Sequence, residues 1–442
     1  MQQIVGIGLA GDQGGRFHPL TLKAKGYLRS KAAVLLLGRR VLDWILDTLK
    51  SQGIEDFIMS TKGKENRYQI KNMVGYGDAL GIRVRYSLVS QARLDTGSAD
   101  TLFSNIEYFN LRDTLLVFPT DSVLDCDIAA MFAEHRRHGA VVTIVATDKP
   151  AEMISGQYGL LHCRDDGRVE QFIEKPSREQ IEVIYGNIGT APRLPANTGY
   201  YLMDAAVLHE ISRHPDIVAM RKQSCDIGDH LLPWLLAHDY PVYMHRVPRL
   251  GELGDISGYL ATMSDILHGR LAIAHRLLVH GYPGAAGRMI EPESLALTDP
   301  RTGLTLAEKI VAGLVTIRPP VRIGKYVQIY PGAVLSECNI DDDCVIHENV
   351  VIDRSSIGPG SLIGDDSVVE ETLLGFMVEL QSTREAPIRT HRCVAIGDEV
   401  VIQEGVELSD GVLIHPRLKI PRCCRIPVHA EIESVEQVLA LI

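Results

Sequence analysis

The chain has 442 residues, enough at roughly 150 per domain for about three domains and a sizeable buried core. Hydrophobic residues make up 45% and charged residues 23%, which excludes a disordered or fibrous chain, and no apolar run approaches the roughly 18 residues of a membrane helix. A formal charge of −11 argues against a protein that coats nucleic acid, but it leaves open an enzyme for anionic small molecules.

Residues 1–10 are too short and uncharged for a secretory signal, and residues 4–9 read as a first strand. Residues 41–49 form a helical pattern, with Val41, Ile45, Leu46 and Leu49 on one face. Further strands are predicted at 56–59, 82–88, 115–118 and 140–146, with helices near 66–74, 99–108 and 127–138 between them. This alternation predicts an α/β domain with a mixed, mostly parallel sheet, whose ligands bind at the carboxyl ends of the strands. Residues 158–173 differ, because Asp165, Asp166 and Gly167 mark a hairpin.

From residue 317 the period changes. Ile323, Ile329 and Leu335 lie six apart, and the triplets Ile340, Ile346, Ile352 and Ile357, Ile363, Val369 repeat them at 17 residues. Ile396, Ile402, Leu408, Ile414 and Ile420 resume the step of six. Such a repeat predicts short strands turning corners, three per coil, around a prism-shaped core: a left-handed parallel β-helix of hexapeptide repeats. Cys344 then fills the core rather than reacting, and His347 and His415 fall at surface corners. The break at 375–393 is too long for a corner, so it is either a loop thrown out from the prism or an arm for a partner. The eight cysteines include no CxxC pair, which predicts reduced thiols in a cytoplasmic protein. The expected organisation is a catalytic domain at 1–265, a connecting segment at 266–316 and the repeat domain at 317–442. That last part carries 11 Lys and Arg against 20 Asp and Glu, a net of −9; the first 316 residues hold 34 and 36, a net of −2. The acidity therefore belongs almost wholly to the prism.

The run LAGDQGGRFHPLT (9–21) follows the first strand directly. Glycines there let backbone amides approach a phosphate chain, and Arg16 adds a guanidinium fork. The spacing of Gly11, Gly14 and Gly15 fits neither a Walker A loop nor a dinucleotide GxGxxG. It resembles instead the opening of the sugar-nucleotide pyrophosphorylases, LAGGxGTRLxPLT. RSKAAV (29–34) is similar to the RAKPAV of the ADP-glucose branch, and TGSADT (96–101) to its GTADA. FPTD (118–121) ends a strand as the family's GD does, and FIEKP (172–176) matches FxEKP. ANTG (196–199) matches VNxG, and GDIS (254–257) stands where the family has WxDIGT.

The resemblance implies a Rossmann-like, GT-A-like nucleotidyltransferase domain and an enzyme joining a sugar (or sugar-like cyclitol) 1-phosphate to a nucleoside triphosphate with release of pyrophosphate. It implies that Arg16, Lys31 and Lys175 are catalytic, with Lys23 or Lys25 as alternatives to Lys31 because five residues are inserted before it. Leu9, Ala10, Gly11, Gly14, Gly97 and Ser98 would bind the nucleotide. Gly159, Glu174, Lys175, Asn197 and Thr198 would bind the sugar phosphate, and Asp121 and Asp255 would hold Mg²⁺. The partners implied are the two substrates and a twin chain, in a homodimer or homotetramer through the β-helix, with no nucleic acid and no membrane. Asp12, Gly15 and Thr120 depart from the family pattern, which points to altered specificity. ATP with a glucose-like 1-phosphate is the expected pair; a guanylyl- or thymidylyltransferase, or a non-catalytic regulatory paralogue, is the alternative. A prism that also transfers acyl groups is the least supported reading, since it shows no histidine-bearing loop.

Overall fold

The computed structural model describes residues 4–11, 15–22, 28–87, 97–186, 193–282 and 287–441, the side chain of Arg16 excepted. They form two compact units, one built from the chain up to residue 12, 45–120 and 124–250, the other from 13–44, 121–123 and 251 onward.

The first unit is organised by a nine-stranded sheet. Its strands are β1 (Val5–Ala10), β2 (Asp56–Thr61), β3 (Arg83–Tyr86), β4 (Thr114–Pro119), β5 (Val142–Lys149), β6 (Leu160–Cys163), β7 (Val169–Ile173), β8 (Leu194–Asp204) and β9 (Val242–Val247). β1 lies parallel between β2 and β4, and β3 extends the parallel half beyond β2. β8 runs antiparallel to β4, β5 and β6; β9 lies parallel on β5, and β7 closes a hairpin on β6. Only β7 and β8 oppose the common direction, so the sheet is mixed and mostly parallel, as the alternation predicts. β1 and β4 are buried along almost their whole length because both faces are covered. Helix α1 (Ser98–Tyr108) buries Ala99, Leu102, Phe103 and Ile106, one helical face, in the same core cluster as Ile7, Leu115 and Val117.

Two strands are not announced by periodicity. β8 contains Pro195 and Gly199, which read as breakers, yet it is eleven residues long and pairs with three neighbours. The register slips between Asn197 and Tyr201, and Gly199 takes φ +79° in that bulge. β9 lies at the sheet margin and carries the polar residues His245 and Arg246.

His135, on the helix Ile128–Arg137, is buried and its Nδ1 lies 2.8 Å from Thr143 Oγ1 on β5. Burial pushes its pKa down to about 4, against a weaker opposing pull from Asp204. In the unfolded chain this imidazole binds its proton below about pH 6.5. Its contribution to stability is therefore complete above that pH and falls as pH drops toward 4, by about 3 kcal/mol in all. Denaturation of wild type and His135→Gln at pH 7.5 and 4.5 checks this: the wild-type advantage is expected to shrink at the lower pH. A constant difference would contradict it.

The second unit contains a parallel β-helix of three sheets with eight, seven and six strands, counted over the described residues. Ile323, Ile340, Ile357, Leu374, Ile396, Ile414 and Ile432 form one aliphatic column, all buried. Ile329, Ile346, Ile363, Leu380, Ile402 and Ile420 form another. The third runs Ile317, Leu335, Ile352, Val369, Thr390, Leu408, Ile426. The step of six thus places every third strand in one column, as the repeat predicts. Cys344 is buried among them, and burial pushes its thiol pKa up to about 12. All eight cysteines are free thiols.

The break at 375–393 is corrected by the structure: it is neither a loop thrown out from the prism nor an arm. The strands Glu379–Gln381 and Arg389–Thr390 stay in register, so the extra residues lie in a single corner between them. The pattern hid this because the inward residue is Thr390, whose hydroxyl meets that of Thr372 at 2.6 Å. Ahead of residue 317, the strand Arg288–Ile290 already pairs in parallel with Val321–Ile323 and opens one face of the prism.

Candidate active site

β1 delivers Leu9, Ala10 and Gly11 to the carboxyl edge of the sheet, with Leu9 opposite Pro119 of β4 and Ala10 opposite Thr61 of β2. The Ala10 carbonyl is taken by the Lys62 amide and by Asn66 Nδ2, which fixes where the chain leaves the strand. A Cβ built on Gly11, which is exposed, meets no atom of the described residues within 4 Å. Gly14, Asp12, Lys23 and Lys25 lie outside the described residues. Arg16 falls in the single turn Gly15–Phe17.

In the second unit, Lys31 opens the short turn Lys31–Ala33 and is 5% exposed. Its Nζ lies 3.2 Å from Oδ2 of Asp121. Asp121 follows β4 by two residues, and its carbonyl accepts the Leu253 amide at 3.1 Å. The strand Ser122–Leu124 pairs with Leu250–Glu252, so the segment carrying Asp255 is tied to the one carrying Asp121. Asp255 is exposed and caps the helix Ile256–Leu267, accepting the Gly258 amide at Oδ1 over 2.8 Å. That leaves its second oxygen for a ligand. Both carboxylates are hard oxygen donors of the kind Mg²⁺ takes one or two of, alongside substrate phosphates, so the donor set fits that ion.

In the first unit, Glu174 and Lys175 follow β7. The Glu174 carboxylate sits against two glycines: a Cβ on Gly159 would come within 2.8 Å of Oε2, and one on Gly228 within 2.5 Å. Burial pushes the Glu174 pKa up; Lys175 opposes this, while Asp229 and Asp226 reinforce it. Lys175 is exposed with φ +46°, a left-handed backbone that a lysine before a proline adopts only under constraint. Asn197 Nδ2 donates to the Tyr201 hydroxyl at 2.7 Å and its Oδ1 accepts the Gly199 amide at 3.0 Å. One amide hydrogen and one lone pair of that side chain stay available. Thr198 is buried and donates to the Val145 carbonyl at 2.8 Å, so its hydroxyl holds the bulge in place.

Gly97 has φ +112°, and a Cβ there would strike the Cys225 carbonyl at 2.6 Å. Ser98 donates its amide and its hydroxyl to Asp226 Oδ1, at 3.0 and 3.2 Å, and its hydroxyl accepts the Ile227 amide at 2.9 Å. The two residues therefore lock the start of α1 onto 225–227. Asp100 in the same motif pairs with Arg221 at 2.6 Å. Sequence reasoning missed the segment 225–231 altogether. It supplies Asp226, Gly228 and Asp229 around Glu174, and Ile227–Leu231 forms a π-helical turn, a feature frequent at functional sites. The two acids flanking glycine were the available signal.

Gly228→Ala tests the glycine cradle. The added methyl overlaps the movable end of Glu174, so the carboxylate shifts and the backbone stays. If Glu174 contacts substrate, kcat/KM for the sugar phosphate is expected to fall roughly 10- to 100-fold. The melting temperature should change little. An unchanged kcat/KM would remove Glu174 from substrate contact.

The first unit thus carries a glycine-rich strand exit and a glutamate in a glycine cradle, and the second a lysine–aspartate pair and a hexapeptide β-helix. Residues 5–268 match the nucleotidyl transferase family model, and the chain belongs to that family, on the sugar-nucleotide pyrophosphorylase side. It is 24% identical over 381 residues to a UTP–glucose-1-phosphate uridylyltransferase of Synechocystis sp., covering 81% of this chain and 86% of that protein. It is 26% identical over 406 residues to a glucose-1-phosphate adenylyltransferase of Alteromonas mediterranea, covering 84% and 88%. A protein of the same name from Corynebacterium jeikeium is 25% identical over 403 residues, covering 86% and 91%.

Proposed function

We propose that the chain is an ATP-using sugar-1-phosphate adenylyltransferase acting on a glucose-like 1-phosphate. The observation that carries the reading is the Lys31–Asp121 pair at the exit of β4, in a chain whose family transfers nucleotidyl groups. Names of the relatives favour adenine, two of the three above being adenylyltransferases.

In the reaction, a phosphate oxygen of the sugar 1-phosphate attacks the α-phosphorus of the triphosphate. The new P–O bond forms as the bond to the β-phosphate oxygen breaks, and pyrophosphate leaves with that electron pair. The attacking oxygen is already anionic, so no strong base is needed; the obstacle is bringing two polyanions together. Lys31 and Arg16 offset charge on the triphosphate and the leaving group, and Leu9, Ala10, Gly11 and Gly14 bind the nucleotide. Lys175 binds the sugar phosphate. Glu174 accepts hydrogen bonds from sugar hydroxyls, Asn197 contributes its remaining donor and acceptor, and Gly97 and Ser98 shape the base pocket. Asp121 and Asp255 would hold Mg²⁺, which when bound neutralises triphosphate charge.

The test is pyrophosphate release from the full chain with Mg²⁺, each of four nucleoside triphosphates, and a panel of sugar and cyclitol 1-phosphates. ATP with glucose 1-phosphate is expected to give the highest kcat/KM. A clear preference for UTP, GTP or dTTP overturns the assignment of base, and silence across the panel with intact nucleotide binding overturns catalysis. The same reading includes self-association through the β-helix; a monomer in light scattering would refute that part.

A further inference from the structure

Outside the residues already assigned, the described part of the molecule holds two groups of three side chains able to ligate a metal: His18, His415 and Glu431, and His214, Asp216 and His238. They differ in what their ligand atoms already do. In the second group, His214 Nδ1 accepts the Asp216 amide as a helix cap, Asp216 Oδ2 accepts the Trp234 indole, and His238 Nδ1 bonds the Trp234 carbonyl. Those atoms serve the fold. In the first group, the side-chain hydrogen bond runs inside the set, His415 Nε2 to Glu431 Oε1 at 2.8 Å. The His18 ring stands edge-on to His415, with ring centres 6.0 Å apart.

We propose that His18, His415 and Glu431 form a binding site for a divalent transition-metal ion of the zinc class, which ties the turn after Arg16 to the β-helix. Both parts belong to the second compact unit. Two imidazole nitrogens and one carboxylate oxygen are the donor set that Zn²⁺ takes when one position stays open to water. Around a tetrahedral zinc such atoms stand about 3.3 Å apart. Here they all lie within 4.8 Å of one another, so side-chain movements of about an ångström close the site.

The fold builds this cluster from register rather than chance proximity on one loop. His415 follows the strand Leu413–Ile414, and its amide donates to the Ile432 carbonyl of the next coil at 2.9 Å. Glu431 begins the strand Glu431–Ile432 opposite Leu413. His18 follows the turn Gly15–Phe17, and its amide closes that turn on the Gly15 carbonyl. The charges around His18 also suit a cation, since the carboxylates of Glu431 and Glu433 both act on it.

The experiment uses the full-length protein, stripped with a chelator and titrated calorimetrically with Zn²⁺. A parallel titration with Co²⁺ follows the visible absorption of the bound ion. One equivalent of Zn²⁺ with a micromolar or tighter Kd is expected. His18→Ala and His415→Ala should each weaken it at least about 100-fold and remove the Co²⁺ band. Glu431→Gln, at an exposed position that the fold tolerates, should weaken binding as well, which guards against loss through misfolding. The double substitution His214→Ala and His238→Ala should leave binding intact. No binding by the wild type overturns the proposal. So does binding that survives His18→Ala and His415→Ala, or binding lost only with the second histidine group.

Discussion

Asp121→Asn is expected to lower kcat for pyrophosphate release by about 10³-fold, on the scale of losing one preorganised electrostatic contact to a transition state. The substitution keeps the shape of the side chain and removes its charge. Two consequences follow from the geometry. Lys31, 5% exposed, loses the carboxylate 3.2 Å from its Nζ, so its ammonium is held less firmly where the triphosphate must be met. An oxygen ligand proposed for Mg²⁺ is weakened too, so half-saturation should move to higher Mg²⁺. Lys31→Met should also depress turnover. If the two residues act as a unit, the double variant falls no further than the worse single one, because groups that work together are non-additive. Wild-type turnover in Asp121→Asn, or fully multiplicative losses in the double variant, would show that the pair does not serve catalysis together. Asp255→Asn provides the comparison: its Oδ1 caps a helix, so the amide oxygen preserves the cap and only the proposed ligand charge is lost.

How far the sequence carried this reading varies with the physics of each element. The β-helix was legible nearly residue by residue, since every inward position must be apolar and the coil fixes the step at six. It faltered where Thr390 replaced an aliphatic residue and four extra residues entered one corner, and ahead of residue 317, where Arg288–Ile290 already opens one face. In the α/β unit, the strands with continuous aliphatic runs were legible and β8 was not, because Pro195 and Gly199 are breakers in isolation but serve a bulge in context. Of the candidate site residues, Lys31 and Asp121 meet each other, and Gly159 meets Glu174, which no local pattern states. The surroundings of Glu174 were invisible for the same reason: Gly228 stands 54 positions away in the chain and reaches it only through the sheet and the π-helical turn. Ser98 illustrates the converse. Its motif was found, but its amide and hydroxyl are spent on Asp226 and Ile227, so what it does in the structure is fix the backbone.

Removing either partner of the Lys309–Asp299 pair is expected to cost about 3–5 kcal/mol in the second unit, the largest stability effect among the ion pairs described here. This segment reads from sequence as a connector, yet both side chains are fully buried, with Nζ 3.3 Å from Oδ2. Lys309 lies on the helix Leu306–Val311, and its ammonium also donates to the Ile329 carbonyl. Asp299 accepts the Arg301 amide at 2.9 Å. Burial opposes ionisation of this carboxyl, but the Arg301 amide and Lys309 together hold its pKa below the ordinary value. Its stabilisation is thus present above the unfolded carboxyl pKa and lost as pH falls through the lower, folded one. In Asp299→Ala the ammonium stays buried with only the Ile329 carbonyl and the Tyr330 ring near it; in Lys309→Met the carboxylate stays buried with only the Arg301 amide and Thr302 as partners. The double variant has no stranded charge, so its loss should be well below the sum of the two. Trp44 belongs to this unit and is buried, donating to the Leu36 carbonyl at 2.7 Å, whereas Trp234 belongs to the other. In a Trp234→Phe background, urea unfolding followed by Trp44 fluorescence therefore reads the loss from a buried residue of the second unit. Single variants within 0.5 kcal/mol of the parent, or losses that simply add, would mean that the pair is solvated in solution and that its burial does not govern stability.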